Sequence, residues 1–389
     1  MTRTMLRERV HGHHARVTNL ELFFDLVFVF AITQLSHSLL AHLNLEGAIH
    51  AGFLMMAVWW VWVFTAWITN WLDPDHRNVR VMLFVLMAVG LVMSTSVPEA
   101  FEARAVPFAL AYAGMQVGRS LFMRWAARAD PLIRLNFTRI SAWMIVAAAF
   151  WIAGAFQPEL RLALWVVALA IEYVGPAAGF WTPGLKGSAT SGWTVEGAHL
   201  AERCGLFIII CLGESVLVTG ATFAQHAWEP PLIGAALAAL AAAIAMWWIY
   251  FNAHAEAAAA AIAHSDDPGR IARIAYTYAH IPIVAGIIVT AAGDELALAH
   301  PLGHIEPATM WLILGGPALF LAGGVWFKHA VFRVISAPRA SGLALLGLVA
   351  LAAPHLTPLM LSAAATAVLI VVATWETLTL PAPHANAHG

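Results

Sequence analysis

The chain has 389 residues, is 61% hydrophobic and only 11% charged, and has a mean hydropathy of +0.76. Soluble domains are about 45–50% apolar and about 25% charged, so this composition excludes an ordinary water-soluble protein and points to a chain solvated largely by lipid. The net charge of −2 leaves no basic excess for nucleic acid, and none is expected as a partner.

Residues 1–18 form a basic tail carrying Arg3, Arg7, Arg9 and Arg16, followed by an apolar run that contains acids and leads into further spans. It lacks the small-residue cleavage site of a signal peptide and reads as a first transmembrane helix. About 20 apolar residues cross a bilayer as a helix. Segments of that kind fall at 19–42, 48–71, 80–97, 105–123, 138–156 and 160–179, then at 199–223, 232–254, 272–292, 308–327, 341–358 and 360–380. Breakers separate them, among them Asp73-Pro74-Asp75, Asp130-Pro131, Glu229-Pro230-Pro231 and Asp266-Asp267-Pro268. The expected fold is therefore all-α, a polytopic bundle of about twelve spans. Its first six-helix repeat covers 19–180, a cytoplasmic linker 181–198, the second repeat 199–380, and a cytoplasmic tail 381–389.

The basic residues test this count. With a cytoplasmic N-terminus, Arg104 and Arg161 fall on the far side and Arg119 within the fourth span; every other Lys and Arg falls on the cytoplasmic side. That is the positive-inside pattern of a plasma (inner) membrane protein with both termini inside. The halves also match in order: Glu21 with Glu202, Trp59-Trp60 with Trp247-Trp248, Arg77-x-x-Arg80 with Arg270-x-x-Arg273, Gly118 with Gly323, and Glu172 with Glu376. This predicts a parallel 6+6 repeat about an axis near the membrane normal.

Ionisable residues at membrane depth are costly and face a partner or a water-filled cavity. In the first span Glu21 and Asp25 share a face at i and i+4, with Thr33 and Gln34 deeper. Glu21 and Glu202 read either as interfacial acids favoured by helix N-termini or as cation attractors at a mouth. Asp25 or Glu21 is expected to pair with Arg119, and Arg203 is a second candidate ion-pair partner. Glu214 lies twelve residues beyond Glu202, about 18 Å along the axis and near the bilayer centre. It must be neutral, hydrogen-bonded or reached by water, and with Ser215 it falls beside Thr33 and Gln34 in the repeat alignment. Glu172 and Glu376 lie in the cytoplasmic halves of their spans.

Other features carry less. Cys204 and Cys211 are seven residues apart on one helix, about 10 Å by rise, too far for a disulfide. His11, His13 and His14 lack an acidic partner for a metal, His254-x-Glu256 lacks the cysteines of a zinc deaminase, and His280 reads as a hydrogen-bonded core residue. The Trp pairs read as packing or interface anchors. No cofactor, metal or catalytic motif is found.

The stretch Leu20-Glu21-Leu22-Phe23-Phe24-Asp25-Leu26-Val27-Phe28-Val29-Phe30-Ala31-Ile32 resembles the opening of the bacterial low-temperature-requirement A family. So does Glu202-Arg203-x-Gly205-Leu206-Phe207-Ile208-Ile209 followed by Leu212-Gly213-Glu214-Ser215, with Cys204 where members often carry an aromatic residue. The resemblance spans essentially the whole chain and implies a membrane location and a cold-growth phenotype. A remoter likeness is to the lysosomal and bacterial potassium channels built of two six-helix repeats, whose first helices carry Phe-Ser-Asp. Here Phe23-Phe24-Asp25 is the counterpart, without the serine, and the second repeat has Gly205-Leu206 at the aspartate position.

The resulting expectation is a channel or carrier for a proton, monovalent cation or small solute, its polar path lined by the first and seventh helices. Glu21 and Glu202 would draw in cations and Glu214 would form a central site. The alternative is a membrane-embedded, lipid-interacting enzyme or accessory stress-response factor without permeation, using the cytoplasmic arginines to hold anionic head groups.

Overall fold

The computed structural model describes residues 4–7, 16–188, 195–225, 227–252, 258, 261 and 265–379. The His11, His13 and His14 cluster, the His254-x-Glu256 pair, residues 189–194 of the linker and the 381–389 tail lie outside them. The described residues are helical, with only isolated bridges such as Leu6 to Leu72.

The helices are α1 (Asn19–Ala41), α2 (Leu45–Trp71), α3 (Arg77–Ser96), α4 (Ala105–Ala126), α5 (Pro131–Phe156) and α6 (Arg161–Val174). They continue as α7 (Gly197–Ala224), α8 (Pro230–Phe251), α9 (Pro268–Ala299), α10 (Pro307–Phe332), α11 (Ala337–Ala352) and α12 (Pro358–Thr379). The breakers of the sequence start these helices. Asp130 caps α5 by accepting from Leu132 and Ile133, Asp267 caps α9 by accepting from Arg270, and Pro131, Pro230, Pro268 and Pro307 occupy first-turn positions.

Among the described residues, ten helices are long and apolar enough to cross a membrane; α4 and α6 are the shortfall. Helix α4 is diluted by Gln116, Arg119, Ser120 and Arg124, and α6 has only 14 residues. The predicted end of α6 at 179 comes early, at Val174, because Gly175 and Pro176 turn the chain. Helix α9 is longer than predicted and contains a π-helical stretch, Arg273–Tyr278.

The chain divides into two compact units, one of 1–207 with 262–273, the other of 208–261 with 274–389. In the first, α2 is the hub: 89% of its apolar window is buried, against 44% for α1, α3 and α5. Trp59, Trp60 and Trp62 are buried there, with Trp60 stacked on Tyr173 at 4.0 Å and Trp62 tilted against Phe207 at 4.2 Å between ring centroids. Their sequence counterparts Trp247 and Trp248 sit on a half-exposed face of α8 in the second unit, so the two pairs do different work.

The second unit has a glycine seam. Gly286 of α9 lies against Gly316 and Phe320 of α10 and Gly293 against Leu312 and Ile313, while Gly316 and Gly323 of α10 lie against Thr290 and Ile283 of α9. A Cβ on Gly286 would stand 2.7 Å from the Gly316 carbonyl oxygen and 2.8 Å from the Phe320 Cα. The two backbones therefore touch, as small residues allow where lipid replaces water and packing must supply the attraction.

Candidate functional site

The capping box Thr18-x-x-Glu21 fixes the start of α1. Thr18 donates to the Glu21 carboxylate through its amide (2.9 Å) and hydroxyl (3.0 Å), and the Glu21 amide returns a bond to the Thr18 hydroxyl. One turn on, Asp25 points the same way. Both side chains have 0% exposure. Glu21, in the first turn of α1, is thus not exposed to solvent but sealed inside the first unit.

Two arginines neutralise the pair. Arg203 of α7 reaches Glu21 with one nitrogen (3.2 Å) and Asp25 with the other (2.6 Å), and its guanidinium lies over the Trp62 ring, 5.7 Å from the centroid. Arg7 pairs with Glu21 at 3.2 Å. The Trp62 indole donates to Asp25 at 2.7 Å. The partner of Asp25 is therefore Arg203 and not Arg119: the α4 residue matches it in depth but points toward other groups.

Arg7 is held by the backbone around it. The 4–7 segment pairs with the end of α2 and the residues after it: the Arg7 amide donates to the Trp71 carbonyl (2.8 Å) and the Asp73 amide to the Met5 carbonyl (2.9 Å). The Arg7 Nε donates to the Thr69 and Leu72 carbonyls. A residue that reads in sequence as part of a basic tail is thus docked in the core.

His199 completes the cluster. Its Nε2 lies 2.9 Å from Glu21 and its Nδ1 3.3 Å from the Asn70 amide nitrogen. Asn70 donates to Nδ1, so this network assigns the proton to Nε2, which donates to Glu21. Asn70 also clamps the backbone before α7, donating to the Glu196 carbonyl and accepting from its amide. With a neutral His199, two arginines face two carboxylates and the cluster carries no net charge. It joins the N-terminal segment, α1, α2 and the start of α7. Glu202 stays outside: it is exposed and accepts from the Val17 amide at 3.2 Å, so the sequence match of Glu21 with Glu202 is not a match of environment.

A second buried carboxylate, Glu172 of α6, accepts from Tyr112 (2.6 Å), Gln116 (2.7 Å) and Trp151 (3.1 Å). Arg119 acts through Gln116, donating to its amide oxygen, and also donates to the Val61 carbonyl and the Thr65 hydroxyl, both at 2.7 Å. In the second unit Glu376 of α12 is held by Lys328 (2.7 Å), Ser336 (2.9 Å) and Arg339 (2.9 and 3.1 Å), and Arg339 also donates to the Ile249 carbonyl at 2.9 Å.

The mid-depth residues differ. Thr33 bonds back to the Val29 carbonyl within α1, and Gln34 is half-buried. Glu214 and Ser215 are buried in the second unit at 9% and 5% exposure. Among the described residues Glu214 enters no ion pair, unlike Glu21, Asp25 and Glu376. Ser215 and Thr219, a turn apart, line a cavity of about 230 Å³. Asp294, near the end of α9, is buried beside Ser362. His280 bonds Tyr250 (2.8 Å) and the Ala275 carbonyl (2.8 Å), as a core histidine does. Cys204 and Cys211 are buried and not disulfide-bonded.

Helices of this length and apolarity, with ion pairs sealed between them, define a multi-pass helical membrane protein. The chain belongs to the bacterial low-temperature-requirement A (LtrA) family, whose description matches residues 16–374. It is 42% identical over 365 residues to an uncharacterized protein of Rhizobium meliloti (strain 1021), covering 92% of this chain and 88% of that protein. No solved structure matches.

Proposed function

We propose that this chain is a transport protein of the plasma (inner) membrane, with both termini cytoplasmic, that passes a proton, a monovalent cation or a small solute. Glu214 is its central binding or relay carboxylate. The observation that carries this reading is the contrast among acids. Glu21 and Asp25 are neutralised by Arg7 and Arg203, and Glu376 by Lys328 and Arg339. A charge-balanced cluster offers a cation no net attraction, so the α1 acids serve as a lock between helices. Among the described residues Glu214 enters no ion pair, so at mid-membrane depth its carboxylate is free to exchange a cation. Thr33 and Gln34 on α1 and Ser215 on α7 are neutral polar groups that fall beside one another in the repeat alignment of the sequence.

Purified protein in liposomes is expected to pass one member of a panel of protons, monovalent cations and small solutes. Glu214→Gln should lower that flux at least about tenfold, the effect of about 1.4 kcal/mol on a rate, without loss of folded protein. A wild type inert across the panel, or equal flux in the variant, would overturn the reading.

The same proposal includes the parallel 6+6 repeat. Aligning Trp59-Trp60 with Trp247-Trp248 puts Val61 opposite Ile249, and both carbonyls accept from a guanidinium that serves the matched carboxylates Glu172 and Glu376. The arginine comes from α4 in the first half and α11 in the second. Aligning Gly118 with Gly323 puts Gly324 at the place of Arg119, and a Cβ there would run into the Arg339 guanidinium. An exchange of donors around one preserved arrangement supports a duplicated origin better than any single matched residue.

A further inference from the structure

In the first unit a groove of about 790 Å³ runs between α3 and α4, apart from the acids of the transport reading and with Arg119 among its lining residues. Its two ends differ chemically. Arg77 and Asn78, which open α3, lie with Trp125, near the end of α4, at one end, since consecutive helices joined by a short connection run antiparallel. Among the described residues Arg77 forms no ion pair, whereas Arg80, a turn on, is taken by Asp75 at 3.3 Å. Arg124 adds positive charge in the last turn of α4, and Arg128 lies over the Trp125 ring.

Toward the other end the groove is apolar. Val85 and Leu110 line it at 56% and 50% exposure. Its floor is Gly114 and Gly118, where a Cβ would meet nothing within 4 Å. These glycines differ from those of the α9–α10 seam: no helix fills the space above them. From Asn78 to Val89 the groove follows α3 over twelve residues, about 16 Å by helical rise, roughly half of the ~30 Å hydrocarbon core. That is the depth of one leaflet.

We propose that the α3–α4 groove binds a single anionic phospholipid, its phosphate held by Arg77 and Asn78, Trp125 at the level of the glycerol, and an acyl chain along Gly114 and Gly118. A guanidinium forms paired, charge-assisted bonds with phosphate, and basic pockets between membrane helices suit such head groups. The rival occupant is a helix of a second copy, which Gly114-x-x-x-Gly118 would accept sterically. Charge decides against it. A copy related by an axis along the membrane normal brings the same arginine-bearing end of both chains together.

The test uses the full chain purified in mild detergent, with palmitoyl-oleoyl phosphatidylglycerol and phosphatidylcholine as probes, read by native mass spectrometry and by thermal unfolding. The wild type is expected to keep one phosphatidylglycerol and to be stabilised by it more than by phosphatidylcholine. Gly114→Leu with Gly118→Leu grows into the groove from Cβ positions that meet nothing within 4 Å, so the lipid-free unfolding temperature should hold while retention falls at least about tenfold. Arg77→Gln should keep an acyl chain bound and erase the preference for the anionic head group. Undiminished retention in the double variant would overturn the proposal, as would a switch from dimer to monomer with lipid retention unchanged. Should the double variant fail to fold, an undiminished anionic preference in Arg77→Gln would overturn it alone.

Discussion

Replacing Arg203 with Met is expected to cost the first unit about 3–5 kcal/mol, the usual consequence of removing one partner from a buried ion pair. Glu21 and Asp25, both at 0% exposure, would be left with Arg7 alone, and Arg7 reaches only Glu21. The Oδ2 of Asp25 already has no hydrogen-bond partner, so the Trp62 indole would be its carboxylate's remaining donor. Lys at position 203 should recover part of the loss at most, because one ammonium cannot hold both carboxylates as the guanidinium fork does. Adding Asp25→Leu to Arg203→Met should restore stability relative to Arg203→Met, since the pair is then replaced by apolar groups. Thermal unfolding in detergent micelles reads all of these variants. An Arg203→Met protein as stable as wild type would remove the lock from the account.

The second large effect is expected in the α9–α10 seam. Gly286→Leu places a side chain against the Gly316 carbonyl and the Phe320 backbone, which cannot turn away as a flexible side chain would. Overpacking typically costs about 1–3 kcal/mol, and a contact between backbones lies at the upper end or beyond. Gly347→Ala on α11 is the control, because a Cβ there meets nothing within 4 Å. That change should be neutral or should stabilise by up to about 1 kcal/mol, as removing a glycine from a helix does. Near-equal unfolding temperatures for the two variants would show that the seam is not tightly packed.

The helices were legible because their signals are local. Apolar length and the Asp-Pro and Pro-Pro breakers marked most of them to within a few residues, but α5 starts seven residues earlier than predicted, α9 and α10 run on for seven and five, α11 stops six short, and α6 ends early where Gly175 and Pro176 lay inside the apolar run. The shared face of Glu21 and Asp25 was equally legible, being a matter of spacing along one helix. Their partner was not. Depth along the membrane can be counted in residues, and by depth Arg119 and Arg203 were both available. The direction in which α4 or α7 presents its side chains depends on tertiary packing, which counting does not give. Two local signals pointed the right way. Thr18-x-x-Glu21 is a capping box, and His199 and Arg203 stand at i and i+4 on α7, one face carrying both groups that meet Glu21. Arg7 was hidden by company, since one arginine in a basic segment looks like any other under the positive-inside rule.

The paired carboxylates Glu172 and Glu376 were visible as a sequence match, but their meaning came from geometry. Each is buried on the final helix of its half and each is served by an arginine that also holds a helix carbonyl, in one case through Gln116. In the duplication proposed above, a substitution that moves the cation from one helix to another, as Gly324 and Arg339 would relative to Arg119, erases the match residue by residue while keeping the interaction.

The division of labour among the acids is tested most directly by labelling the membrane-embedded protein with a hydrophobic carbodiimide and mapping the adducts by mass spectrometry. The reagent reaches carboxyl groups at membrane depth that no guanidinium or ammonium holds. An adduct is expected on Glu214 and none on Glu21, Asp25 or Glu376. Labelling of Asp25 with Glu214 untouched would contradict that division of labour.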